Sequence, residues 1–368
     1  MSSRRARVLV VYGTRPEAIK MAPVVAALRA RGEHFETVVC TTAQHREMVD
    51  QVEELFALAP DIDLDLMEPE QRLNDLTSRA VAAIDGVLDR ARPDWLLVQG
   101  DTTTALAASL AAFHARVRIG HVEAGLRTGD LGRPFPEEAN RRLIDVVADV
   151  LFAPTARARD TLLSEGIDAG RVFLTGNTVV DALRSVAASL GEVRREDEVL
   201  VTVHRRESFG RPIRGIFAAV AELAGRFPRL RWVYPVHPNP QVREPAREML
   251  SGLPNVELHD PLDYRELVRR LMRARLVLTD SGGIQEEAPT FATPVLVLRE
   301  KTERPEGVDA GVARLVGVDR EAIVTAATEL LTDPAAHAAM AAAANPYGDG
   351  RAAERIAAIL AGDSWESL

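Results

Sequence analysis

The stretch Thr279-Asp280-Ser281-Gly282-Gly283-Ile284-Gln285-Glu286-Glu287 holds residue types that could grip a nucleotide diphosphate. Ser281, Gly282 and Gly283 let backbone N–H groups approach an anion, and the helix that follows presents its positive end. Glu286 and Glu287 would repel a phosphate placed close by, so one of them suits ribose hydroxyls further along the ligand. The same residues would also serve a plain strand-to-helix turn, with Ser281 as N-cap and acids in the first helical turn. A second anion site is read in Thr202-Val203-His204-Arg205-Arg206-Glu207-Ser208, where His204 could donate a hydrogen bond or a proton to a departing diphosphate. Tyr12-Gly13-Thr14-Arg15-Pro16-Glu17 offers Arg15 as a fork for phosphate, with Lys20 one turn on as a second cation. Arg304, in Glu300-Lys301-Thr302-Glu303-Arg304-Pro305-Glu306, lies on a loop at the same kind of sheet edge, and His237 sits in the proline-rich loop Tyr234 to Pro240.

Three acids could move protons. Asp101 follows the strand that starts at Trp95, Glu123 follows the strand ending at Val122, and Glu137 opens a helix after Pro136. If Asp101 and Glu123 faced each other, each would raise the other's pKa, which is how a carboxylate becomes a proton donor near neutral pH. Helix capping by Asp101, and favourable placement of Glu137 in a first helical turn, are the competing explanations.

The elements that must position these groups alternate strand and helix, which implies parallel sheets covered on both faces. Strands are expected at Arg7–Val11, Glu36–Thr41, Ile62–Leu66, Trp95–Gln99, Val117–Val122, Val150–Ala153 and Val172–Thr175. A second set is expected at Val199–Val203, Leu230–Pro235, Val256–Leu258, Leu276–Thr279 and Val295–Leu298, after a charged linker candidate, Gly191 to Glu198. The 368 residues suffice for about two domains. A net charge of −9 disfavours nucleic acid as a partner, and the absence of a long apolar N-terminal segment points to a cytoplasmic protein without a membrane association. The one cysteine, Cys40, excludes an internal disulfide and any cysteine-rich zinc site, and no metal-ligand spacing is evident.

In order and nearly end to end, the segments resemble the non-hydrolysing UDP-N-acetylglucosamine 2-epimerase family. Those that carry the resemblance are Gly13-Thr14-Arg15-Pro16-Glu17-Ala18-Ile19-Lys20, Thr42-Ala43-Gln44-His45-Arg46, Gly100-Asp101-Thr102-Thr103, His121-Val122-Glu123-Ala124-Gly125-Leu126-Arg127, Pro136-Glu137-Glu138-Ala139-Asn140-Arg141, His204-Arg205-Arg206-Glu207, the Ser-Gly-Gly turn and Thr302-Glu303-Arg304-Pro305-Glu306. The resemblance implies an α/β, GT-B-like fold: a Rossmann-like domain at 1–178 with the acids, a UDP-binding one at 179–352, a ligand cleft between them, and a helix at 353–368 crossing back to the first. It implies interconversion of UDP-GlcNAc and UDP-ManNAc without a cofactor. Asp101, Glu123 and Glu137 would carry the acid and base work and His204 would assist the leaving UDP. Arg15, Lys20, Ser281, Gly282, Gly283, Glu287 and Arg304 would hold the substrate. It further implies a homodimer and a second, activating UDP-GlcNAc near Gln44, Gln71 and His237. Val203, Arg133, Gly307 and Val312 depart from the family pattern without removing a catalytic group, and they leave open a related UDP-diacetamido sugar. A hydrolysing 2-epimerase, a GT-B glycosyltransferase and a sugar-nucleotide sensor are the rival readings.

Overall fold

Trp95–Gln99 and Leu276–Thr279 are buried at every residue, the mark of strands covered on both faces rather than of a half-solvated sheet. The computed structural model describes residues 4–43, 46–68 and 71–363. The chain divides into two compact units, one running up to Ala182 and resuming at Tyr347, the other Leu183–Pro346.

In the first unit the order is β1 (Ala6–Tyr12), α1 (Arg15–Ala30), β2 (Phe35–Thr41), α2 (Arg46–Phe56), β3 (Ile62–Asp63), α3 (Leu73–Ala91), β4 (Trp95–Gln99), α4 (Thr103–His114), β5 (Arg118–Val122), α5 (Glu137–Val147), β6 (Val150–Ala153), α6 (Ala156–Ser164) and β7 (Val172–Leu174). The strands form one parallel sheet of order β3-β2-β1-β4-β5-β6-β7. After α7 (Thr178–Leu190), the second unit runs β8 (Glu198–Thr202), α8 (Arg211–Arg226), β9 (Arg231–Pro235), α9 (Pro240–Leu250), β10 (Val256–His259), α10 (Tyr264–Arg273), β11 (Leu276–Thr279), α11 (Gly282–Glu287), β12 (Val295–Val297), α12 (Pro305–Asp309), β13 (Ala313–Leu315), α13 (Arg320–Thr332) and α14 (Pro334–Ala341). Its parallel sheet has the order β10-β9-β8-β11-β12-β13. Both orders reverse direction once, between β1 and β4 and between β8 and β11. That reversal leaves a crevice beyond the carboxyl ends of the strands, where open α/β sheets bind ligands.

The fold class is therefore the α/β, GT-B-like one, with two Rossmann-like sheets. The final helix, α15 (Ala352–Ala361), packs on α1 within the first unit. The return to that unit begins at Tyr347, where the Tyr347 carbonyl accepts from the Asn177 N–H at 2.7 Å and Gly348 lies against Gly176. The segment 191–198 is not the linker it was expected to be. The units divide inside α7, and two charges of the segment are anchored: Arg195 donates to the carbonyls of Ala274 and Phe291, and buried Glu198 in β8 pairs with Arg231 and Arg270. β13 was not anticipated; its three residues are too short a run for alternation or burial to mark. Cys40 lies fully buried in β2, its thiol pushed up to about 12 first by burial and then by Asp63. Among the described residues no helix is long and apolar enough to cross a membrane.

Candidate functional site

Of the sequence candidates of the first unit, Arg15, Lys20, Asp101 and Glu123 gather around the carboxyl ends of β1, β4 and β5. Gly13 follows β1 where no side chain fits: a Cβ there would lie 2.2 Å from Thr42 Oγ1 and 2.8 Å from Thr104 Oγ1. The turn is stitched to the helix it starts by Glu17. This buried carboxylate accepts from the N–H groups of Gly13 (3.1 Å) and Thr14 (2.7 Å), from Thr14 Oγ1 (2.7 Å) and from Thr102 Oγ1 (2.6 Å). Burial still pushes the Glu17 carboxyl above its ordinary value, against the pull of these bonds. Arg15 occupies the first position of α1, half-buried, and has no hydrogen-bond or ion-pair partner among the described residues. Its guanidinium is therefore available to an anion.

Glu123 takes up the left-handed backbone region, at φ 66°, where a non-glycine residue is strained. Its buried carboxylate meets Lys20 Nζ at 2.6 and 2.7 Å, the Gln99 amide, and the Asn177 amide at 3.3 Å. Lys20, read from the sequence as a phosphate cation, thus directs its charge at Glu123. Asp101 and Glu123 have separate partners, for Asp101 faces Arg141 of α5 at 2.5 Å and accepts at its carbonyl from Asn140 at 2.9 Å. Asp101 is not the helix cap either. Thr102 caps α4 by accepting from the Ala105 N–H, so capping does not account for the aspartate.

Glu137 is the first residue of α5, and the neighbouring Glu138 takes the structural duty of that turn. Glu138 is buried and accepts from the N–H groups of Thr128 and Gly129 and from Arg142. Burial raises its pKa, but those N–H groups and the arginines outweigh it and hold the carboxyl below its ordinary value. Glu137 and Arg141 are four residues apart and so share a face of α5, which aligns the third acid with the clamp on Asp101.

In the second unit the corresponding edge is organised by Asp280, a residue that the sequence reading quoted without a role. Fully buried after β11, Asp280 accepts from the backbone N–H of His204 (3.0 Å) and of Arg205 (2.9 Å) and from Ser208 Oγ (3.0 Å). The loop after β8 is thereby tied to the turn after β11. The His204 ring, half-exposed, has Nδ1 3.5 Å from Asp280 and stacks on His237 with ring centres 5.9 Å apart. Burial lowers its pKa, Asp280 opposes that, and Arg205 and His237 add to the lowering. His237 accepts from the Asn239 N–H at Nδ1, within its own loop.

The Ser281-Gly282-Gly283 turn opens α11 next to a cation, for a Cβ on Gly282 would lie 3.1 Å from Arg205 Nη2. Glu286 pairs with Arg304, while Thr302 binds Gln285 at 2.6 Å and accepts from the Arg304 N–H at 3.0 Å, so the Arg304 loop is held on α11. Arg299, buried and missed from sequence, bridges Glu207 and Glu303. Of the residues assigned to a second nucleotide, Gln71 accepts from Arg79 of α3 and Gln44 lies outside the described residues. Asp280 and Arg141 stand inside motifs already singled out, at a strand end and on a helix face, and Asn177 lies two residues past the expected strand Val172–Thr175, but no local pattern gave any of the three a role.

The arrangement offers separately paired carboxylates in one unit and a cation-flanked glycine turn with a histidine in the other. The family described as UDP-N-acetylglucosamine 2-epimerase matches residues 26–361. A Yersinia pestis UDP-N-acetylglucosamine 2-epimerase is 52% identical over 369 residues, spanning 96% of this chain and 98% of its own. Its counterpart from Escherichia coli (strain K12) is 51% identical over the same shares. The crystal structure of UDP-GlcNAc 2-epimerase from Neisseria meningitidis bound to UDP-GlcNAc is similar with a TM-score of 0.89 at 44% identity, covering 97% of this chain and all of that one.

Proposed function

The chain belongs to the UDP-N-acetylglucosamine 2-epimerase family, and from that premise we propose that it interconverts UDP-GlcNAc and UDP-ManNAc without net hydrolysis. What carries the reading is family membership together with the paired carboxylates Asp101 and Glu123 at sheet edges where a binding protein would need neither. The hydrogen on C2 is not beside a carbonyl, so a carboxylate alone does not remove it. Breaking the C1–O bond to UDP builds positive character at C1 and acidifies C2. A base then takes the C2 proton, UDP leaves with the C1–O electron pair, and a 2-acetamidoglucal remains. A proton returned to the opposite face of C2 and re-addition of UDP oxygen at C1 complete the inversion.

Two faces need more than one proton carrier. Glu123, ringed by donors, is suited to accept a proton, and Asp101 and Glu137 are the further acids. His204, through its ring N–H, and Arg15 would stabilise charge developing on the departing diphosphate. Ser281, Gly282 and Gly283 would cradle that diphosphate, with Glu287 and Arg304 holding the rest of the nucleotide. Lys20 acts on substrate through Glu123 in this reading. We also propose a homodimer, supported by exposed apolar residues at the end of α4 (Phe113) and on α5 (Leu143, Val146). A second, activating UDP-GlcNAc, a cytoplasmic location and service to envelope polysaccharide are part of the same proposal.

Proton and phosphorus NMR of the protein with UDP-GlcNAc alone in D2O tests it. UDP-ManNAc should appear, with deuterium at C2 of both sugar nucleotides. Free ManNAc and UDP would identify a hydrolysing enzyme, and an unchanged spectrum would point to another sugar, a transferase or a sensor.

A further inference from the structure

His121 is fully buried in β5, and each of its ring nitrogens meets an acceptor. Nδ1 lies 2.6 Å from Asp145 Oδ1 of α5, and Nε2 lies 2.7 Å from the Gly100 carbonyl. A carbonyl oxygen only accepts, so Nε2 carries hydrogen. The hydrogen between Nδ1 and Asp145 then belongs either to the ring or to the acid. The other Asp145 oxygen decides, because Arg127 Nη2 sits 2.8 Å from it and favours the carboxylate. Arg127 is in turn paired with the exposed Glu165 at the end of α6, so its charge is shared between Asp145 and Glu165. The strand neighbours of His121 in register are Val98 and Leu151, which bring no further charge.

From this geometry we propose that His121 is an imidazolium that acts as a positioning residue for Asp101, a role that rests on the epimerase reading above. Gly100 is gripped twice from β5: its N–H donates to the Val122 carbonyl at 3.0 Å, and its carbonyl accepts from His121. Gly100 lies just past the end of β4, at φ 69°, so no ladder beyond it holds the orientation of its peptide. α5 then supplies both ends of the clamp, with Asp145 on His121 and Asn140 and Arg141 on Asp101. Neutral histidine would leave either Asp145 or Gly100 facing a lone pair, and the turn that carries Asp101 would lose one of its two fixed points.

Nitrogen-15 NMR of histidine-labelled protein, with the His121→Gln spectrum used to identify the missing ring signals, reads the charge directly. Two nitrogens of the protonated type are expected at neutral pH; one protonated and one bare nitrogen would overturn the charge assignment. In His121→Gln, kcat for C2 inversion should fall about tenfold to a hundredfold with KM changed by less than about twofold, in a variant that still unfolds cooperatively. An unchanged kcat would overturn the positioning role. Asp145→Asn keeps the imidazole and removes the charge that demands its second hydrogen. Its ring signals should become those of a neutral histidine and its kcat should fall, and imidazolium signals persisting there would overturn the assignment even if His121→Gln does not fold. A wild type with intact imidazolium signals but no C2 exchange would instead sink the epimerase reading alone.

Discussion

Glu123 is the residue on which local strain and charge converge, since a positive φ aims its carboxylate at Lys20, Gln99 and Asn177. Glu123→Gln keeps the shape but loses the proton acceptor, so kcat should drop by about 10²–10⁴ while calorimetric binding of UDP is nearly unchanged. A variant within a factor of a few of wild type would remove Glu123 from the proton work. His204 makes a prediction about pH. Because burial lowers it from its ordinary value of 6.5, the ring is neutral at pH 7 and charges only in more acid solution. The kcat/KM profile, which reports the free enzyme, should therefore carry a His204 limb below pH 6.5 that is missing from His204→Asn. A limb above pH 6.5 that disappears in the variant would contradict this order of effects.

Elements set the positions of these side chains through a few tight joints. The joint between β1 and α1 has no room for a methyl group beside Thr42 and Thr104, so Gly13→Ala should destabilise the protein by about 1–3 kcal/mol in urea unfolding. At the other end of the chain, α15 is docked by Asp181, whose carboxylate accepts from the N–H of Ala353 (2.8 Å) and of Ala352 (3.3 Å). Burial pushes Asp181 up from 3.8 to about 6, those two N–H groups pulling the other way. The folded state thus keeps this proton to higher pH than the unfolded chain. Its contribution to stability is fully present below about pH 3.8 and is lost as pH rises through about 6. Asp181→Asn should flatten that decline, changing the difference in unfolding free energy between variant and wild type by up to about 3 kcal/mol from pH 4 to pH 7. Melting curves at several pH values that run parallel for the two proteins would refute the assignment.

For the whole molecule, α5 has two occupations. Its inner side carries Asn140, Arg141 and Asp145 to the site, while Leu143 and Val146 are 53% and 67% exposed. Apolar side chains left in water on the outer side of a helix whose inner side is engaged are suited to a second copy of the chain. Sedimentation should find a dimer, and Leu143→Glu combined with Val146→Glu should shift it to a monomer. A dimer that survives both charges would place the interface elsewhere.

Apolar runs ending in Gly13, Gly100, Glu123, His204 and Asp280 made the alternation of strand and helix, and the clustering of chemistry at strand ends, readable from residue order alone. Those features depend on neighbours within a few positions, through burial period, turn chemistry and helix starts. The charged segment 191–198 misled for the complementary reason, since its partners Arg231, Arg270 and the Ala274 carbonyl lie tens of residues away. Likewise, nothing local says that Lys20 meets Glu123 across 103 positions, that Arg141 and not a helix cap holds Asp101, or that Asp280 gathers the backbone of His204 and Arg205. Sequence by itself determined which residues could do chemistry and at which edge. Only the tertiary structure decided which charge each one faces, because strand order brings together ends that the chain keeps far apart, and pairing in a buried site sets whether a carboxylate waits as base, acid or anchor.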